Sequence, residues 1–149
     1  MTDAEIIARS REDESAFASL FDRHYAALHR FLRARVGMVL ADDLASEVFL
    51  TAFRRRASYD LGRENARPWL LGIAVNVVRD HRRSELRRLA AYARAVDGDR
   101  ADGAAAADRL DPALANALLC LSEGDRHVAL LFAWAQLTYE EIAEALLLT

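Results

Sequence analysis

Apolar residues recur along this chain at helical spacing, not in alternation. From Ser15 to Arg35 the positions Phe17, Leu20, Phe21, Leu28, Phe31 and Leu32 fall on one face of a helix, and Gly37 follows as a stop. Upstream, Thr2-Asp3-Ala4-Glu5 has the spacing of a capping box and predicts a short helix ending near Ser10. Arg11 to Glu14 is a charged connection. A third helix is predicted over Ala41–Arg56, with Leu44, Val48 and Ala52 as its inner line and Asp42 and Asp43 in its first turn.

Residues 57–66 read as a loop, after which Pro68 sits in the first turn of the longest helix, Arg67–Ala95. Leu70, Ile73, Ala74 and Val77 give that helix its buried stripe. Asp97–Asp111 reads as a flexible acidic linker, with two glycines, an alanine run and five aspartates. Beyond Pro112 the pattern predicts helices over 113–121, 123–135 and 139–147. Ser122 is a candidate N-cap, and Thr138 to Glu141 form a second capping box. The fold class is therefore all-α: an N-terminal helical bundle over 1–96, a linker over 97–111 and a short helical unit over 112–149.

Composition narrows the function classes. The 149 residues contain few glycines (6) and prolines (2), as long helices require. No apolar run reaches membrane-spanning length and the N-terminus lacks a signal-peptide layout, so no membrane role is expected. One cysteine, Cys120, reads as a small core residue, and its lack of a partner suits a reducing cytoplasm. His24, His29, His81 and His127 show no metal-ligand spacing with Cys120 or a carboxylate. No P-loop or nucleophile elbow is present, so neither a cofactor nor enzymatic chemistry is expected.

The net charge of −3 conceals a strong polarity. Residues 51–95 carry eleven arginines against four acids, while both flanks are acidic. One concentrated basic block in an acidic chain points to a localised polyanion site. All twenty basic residues are arginine, whose planar fork suits phosphates and base edges. At 100° per residue, Arg79, Arg82, Arg83, Arg87 and Arg94 share an arc of about 140°. The first half of the helix is thus anchored and the second half presents a cationic ridge suited to a phosphate backbone. Asn76 precedes the ridge by one turn, and Tyr59 and Trp69 offer flat faces for unstacked bases. A solvated helix face beside a structural tryptophan is the other reading of the same residues.

Three segments carry a family resemblance. Asp42-Asp43-Leu44-Ala45-Ser46-Glu47-Val48-Phe49-Leu50-Thr51-Ala52-Phe53 resembles the polymerase-binding helix of sigma-70 family factors. Pro68-Trp69-Leu70-Leu71-Gly72-Ile73-Ala74-Val75-Asn76, followed by Arg79-Asp80-His81-Arg82-Arg83, resembles the promoter-reading helix of the extracytoplasmic-function (ECF) group. Leu137-Thr138-Tyr139-Glu140-Glu141-Ile142-Ala143-Glu144-Ala145-Leu146 looks like the start of that group's C-terminal domain.

The resemblance implies a bacterial transcription initiation factor, with core RNA polymerase, the promoter −10 element and an anti-sigma factor as partners. It implies that Asp43, Leu44, Glu47, Val48, Phe49 and Phe53 dock on the clamp helices of the polymerase's largest subunit. It gives the Tyr59–Arg67 loop, Asp60 included, and Asn76 to a flipped base of the non-template strand, and Arg79, Arg82 and Arg83 to adjacent phosphates; Trp69 and Arg87 are further candidate DNA contacts. The acidic linker would stand in for RNA in the polymerase's RNA path. Ser46 departs from the glutamine usual in the family, and Val75 from a frequent arginine. The sequence also stops at Thr149 without a turn glycine or a basic second helix, so the helix-turn-helix is expected to be half present and no −35 contact is assigned. Two further readings stay open: a regulatory module that binds polymerase or an anti-sigma factor without full promoter recognition, and an unrelated helical DNA-binding protein, against which the Asp42–Phe53 match argues.

Overall fold

A computed structural model describes residues 1–95, 117–118 and 120–147; side chains in the second half of the longest helix are described up to Ser84 and at Arg87. The described residues form helices and no strand, so the protein is all-α: α1 (Asp3–Arg9), α2 (Ala18–Val36), α3 (Met38–Arg55), α4 (Arg67–Ala95), α5 (Glu123–Ala133) and α6 (Tyr139–Leu147). The linker predicted over 97–111 and most of the helix predicted over 113–121 lie outside these residues.

Local chemistry accounts for the ends. Thr2 and Glu5 form the reciprocal capping box, with Glu5 N donating to Thr2 Oγ1 and Thr2 N to Glu5 Oε2. Thr138 and Glu141 repeat it before α6, and Ser122 caps α5. Two boundaries differ from the sequence reading. Residues Glu14–Phe17 form a 3-10 turn capped by Asp13, so α2 begins at Ala18. Helix α3 begins at Met38, because Gly37 at φ 81° reverses the chain in a single left-handed residue. Asp42 and Asp43 therefore lie beyond the first turn of α3. Asp42 instead accepts from Tyr25 Oη at 3.0 Å and pairs with His29 Nε2 at 2.9 Å.

The pairs across α2 and α3 run in opposite chain directions: Phe17 meets Phe53, Phe21 meets Phe49 and His29 meets Asp42. The two helices are thus an antiparallel hairpin, and α4 packs across both. Phe31, Leu20, Leu32, Val48 and Leu70 are buried at the centre. Helix α1 closes one end through Ile6 and Ile7, both fully buried.

The N-terminal half of α4 is buried all round. Beyond the expected stripe, Leu71, Val75 and Val78 are also inside, since α6 packs on α4 as well. Gly72 makes that contact possible: a methyl group there would overlap the Ala145 carbonyl oxygen, with the carbonyl carbon 3.3 Å away. Arg63 pairs with Glu144, Arg67 donates to the Ala135 carbonyl, and Asn65 Nδ2 reaches Glu141 Oε1 at 3.4 Å. Cys120 is exposed, contrary to its reading as core.

Candidate nucleic-acid and docking surfaces

The loop before α4 is held by its own residues. Tyr59 and Trp69, expected to offer open ring faces, are buried at 5% and 7% exposure and tilt against each other at 4.8 Å. Tyr59 Oη donates to the Arg63 carbonyl at 2.7 Å, and burial followed by the charge of Asp3 pushes that hydroxyl up to about 12. The two rings wedge the loop against the bundle and present no free face in this arrangement. Asp60 is exposed and shapes the tip: its carboxylate accepts from Gly62 N at 3.0 Å and Arg63 Nε at 3.3 Å, which lowers its pKa. The tip carries Leu61, an exposed leucine that periodicity did not single out because it sits in no helix.

Along α4, Val77 and Val78 are buried and the arginines then separate into two groups. Arg83 and Arg87 are exposed, and Arg87 Nε donates to the Arg83 carbonyl at 3.3 Å. Arg79 and Arg82 are half-buried, and Arg82 Nη2 donates to the Arg35 carbonyl at 3.2 Å. Asn76 is half-buried too. Its Oδ1, like Arg79 Nε, is buried without a hydrogen-bond partner among the described residues. The side chain of Arg94 lies outside the described residues.

Beside Arg82 the structure adds Arg35, a residue the sequence did not single out. It ends α2 like an ordinary last-turn cation, yet it is only 4% exposed. Burial, then the charges of Arg82 and Arg126, push its pKa down to about 10, with Glu123 acting the other way. His127 on α5 is buried against the same group. Its pKa is lowered by burial and by Arg35, and also by Arg79 and Arg82. Nothing local in the sequence marks this cluster, which exists only because α5 lies near the ends of α2 and the middle of α4.

Helix α3 divides its six candidate docking residues by face. Leu44, Val48 and Phe49 point inward, and Phe49 packs on Phe21 at 4.7 Å, so in this arrangement these three build the core and not a surface. Phe53 is half-buried between the edge of Phe17 and the Arg56 guanidinium, 3.8 Å from its ring centre. Asp43 and Glu47 are exposed. With Leu50 (48% exposed) and Arg54 they line one face at spacings of four, three and four. Leu50 was missed; its signal was a leucine off the Leu44–Val48–Ala52 line.

Residues 20–88, which hold all but the first two residues of α2, α3, the loop and the described ridge, match the family Sigma-70 region 2. Among curated relatives, the RNA polymerase sigma factor CarQ of Myxococcus xanthus is 38% identical over 107 residues, covering 71% of this chain and 60% of CarQ. The chain carries a sigma-70 region 2 domain. The ECF RNA polymerase sigma factor BldN of Streptomyces coelicolor is 37% identical over 87 residues, covering 57% of this chain and 33% of BldN. This chain thus spans one third and three fifths of those two sigma factors. Among solved structures, CnrH in complex with the cytosolic domain of CnrY matches with a TM-score of 0.65 at 25% identity, over 99% of this chain and 84% of that one. No helix among the described residues is long and apolar enough to cross a membrane.

Proposed function

We propose that this chain acts as an ECF sigma factor that docks on core RNA polymerase and binds the opened −10 strand of promoter DNA. In this reading residues 1–96 are the polymerase- and −10-binding unit, 97–111 the linker, and 112–149 contribute helices like those of region 4. The observation that carries the reading is the presence of two separate exposed surfaces, one acidic and partly apolar and one basic, on one packed bundle within the region 2 match. The exposed Asp43–Glu47–Leu50 face of α3 suits a basic, partly apolar helical partner. The Arg83–Arg87 edge of α4, continued inward by Arg79 and Arg82, suits phosphates, and the Asp60–Asn65 tip, with the half-buried Asn76, would take a base extruded from the stack. Because the buried half of α4 fixes the ridge, the cations meet the strand already oriented.

An anti-sigma factor is proposed as a further partner. The likeness to CnrH, solved with the cytosolic domain of CnrY, supports it. So does the covered state of α4 under α6, since a partner that holds this closed arrangement would keep Arg63 and Asn65 engaged with Glu144 and Glu141.

The test is binding of an opened −10 strand to the protein with core polymerase, over a salt series. The double variant Arg83→Ala, Arg87→Ala should weaken binding and lower the log–log salt slope by roughly 0.7 for each phosphate no longer neutralised. An unchanged slope refutes the phosphate role. Asp43→Arg with Glu47→Arg should abolish capture by core polymerase while leaving the fold intact, since both side chains are exposed. Undiminished capture refutes the docking face. Phe49→Ala is a poor probe, since it would open a cavity in the core.

A further inference from the structure

The region 2 match begins at residue 20, and none of the proposed polymerase or DNA contacts comes from the segment before it. Besides packing on α2, it makes hydrogen bonds to both ends of the loop between α3 and α4. Asp3, 4% exposed, accepts the Ala66 N–H on Oδ2 at 2.8 Å and donates its own N–H to the Glu64 carbonyl at 3.1 Å. Its carboxylate is held in turn by Arg23 Nη1 at 2.6 Å and by His24 Nε2 at 2.7 Å, both from α2. The other end of the segment grips the loop's start. Arg11 Nη2 donates to the carbonyls of Arg56 at 3.3 Å and Tyr59 at 3.2 Å, and Arg56 Nε donates to the Ser10 carbonyl at 3.2 Å.

We propose that α1 and Arg11 form a two-point clip that positions the strand-capture loop, with Asp3 and Arg11 as its positioning residues. The clip rests on the proposed −10 reading. Asp3 fixes Glu64 and Ala66 at the end of the loop, and Arg11 fixes Arg56 and Tyr59 at its start. Between the two points Asp60, Leu61 and Gly62 remain exposed. The chemistry explains the residue types. Ala66 is fully buried, so its N–H needs an acceptor, and a carboxylate flanked by Arg23 and His24 supplies one without leaving a bare buried charge. The Asp3 carboxyl is held below its usual range; burial opposes this, but the Ala66 hydrogen bond, His24 and Arg23 together outweigh it. Arginine at 11 reaches two carbonyls with one nitrogen, which fastens the 3-10 turn and Tyr59 together. Neither residue lies near the exposed face of α3 or the Arg83–Arg87 edge in any contact the structure shows, so the clip acts on base capture and not on docking or phosphate binding.

The test uses the full chain with core polymerase and a non-template strand that the wild-type holoenzyme has selected from a randomised pool. Each base of that strand is removed in turn to leave an abasic site. The wild type should show one position where the abasic strand binds far more weakly. At that position Asp3→Asn, which keeps shape but loses an acceptor, and Arg11→Ala, which removes two donated bonds, should each bind the intact strand at least roughly two- to tenfold more weakly, the range for one hydrogen bond. On the abasic strand both should bind like the wild type, and their affinity for core polymerase should be unchanged. Equal losses on both strands, or none on the intact strand, overturn the clip and leave strand capture standing. A wild type with no base-dependent position overturns strand capture itself, and the clip with it. Arg11 is exposed, so Arg11→Ala keeps the test decisive should Asp3→Asn fail to fold.

Discussion

Replacing Gly72 with alanine separates the two helical groups without touching either one's own core. The added methyl would overlap the Ala145 carbonyl oxygen and press on its carbonyl carbon at 3.3 Å and Cα at 3.4 Å. Those are backbone atoms of α6, so no side chain can swing aside, and α6 must move as a body. Overpacking of this kind costs about 1–3 kcal/mol. Within α4 the same change removes a helix-interior glycine, which stabilises that helix by about 0.8–1 kcal/mol. The two effects fall on different parts of the molecule. Protection of the Ile142 and Ala145 amides against native-state hydrogen exchange should fall roughly 5- to 140-fold. Amides of Phe31 and Leu32 in α2 should keep or gain protection. Gly124→Ala is the control, since its methyl would meet only Ser122 Oγ at 4.0 Å and should leave α6 untouched. If Gly72→Ala left exchange at Ile142 and Ala145 unchanged, the close packing of α4 on α6 would be refuted.

Two other outcomes follow from the geometry. His127 is buried with its pKa lowered by desolvation and by Arg35, Arg79 and Arg82 against the opposing Glu123, so the unfolded chain takes up a proton on this residue at higher pH than the folded one. Its contribution to stability is full above about pH 6.5 and is lost as pH falls towards and through the lowered value; the urea midpoint of the wild type should drop over that window relative to His127→Gln, and a constant difference between them would count against the buried neutral imidazole. Gln136 holds φ at 53° where the chain leaves α5, a conformation costing a side-chain-bearing residue about 1–2 kcal/mol; Gln136→Gly should raise the thermal midpoint, and a lowered midpoint would mean that the side chain supplies a compensating contact.

The all-α class, the two capping boxes and the span of α4 were legible because each is a local property. A 3.6-residue repeat and a three-residue spacing between a hydroxyl and a carboxylate need no knowledge of the rest of the chain. The chain reversal at Gly37 was legible as a stop, but not that one left-handed residue suffices, which moved the start of α3 back to Met38. Periodicity also named the inner line of α3, and yet Phe49 and Leu50 were not told apart. Adjacent residues on a helix differ by only 100°, and the aromatic that turns inward is the one with a partner, here Phe21 on α2.

The basic block of residues 51–95, and the placement of seven of its eleven arginines on α4, belong to the sequence alone. Its division into an exposed pair, Arg83 and Arg87, and a half-buried pair, Arg79 and Arg82, belongs to the tertiary structure. So do the burial of Tyr59 and Trp69, the loop's attachment to Asp3 and Arg11, and the charged contact of Arg35 with α5. Helical periodicity sets the direction in which a side chain leaves its own axis. Whether that direction meets water, a carbonyl or another arginine depends on helices that lie 45 to 90 residues away in the chain and are brought there only by the shared core.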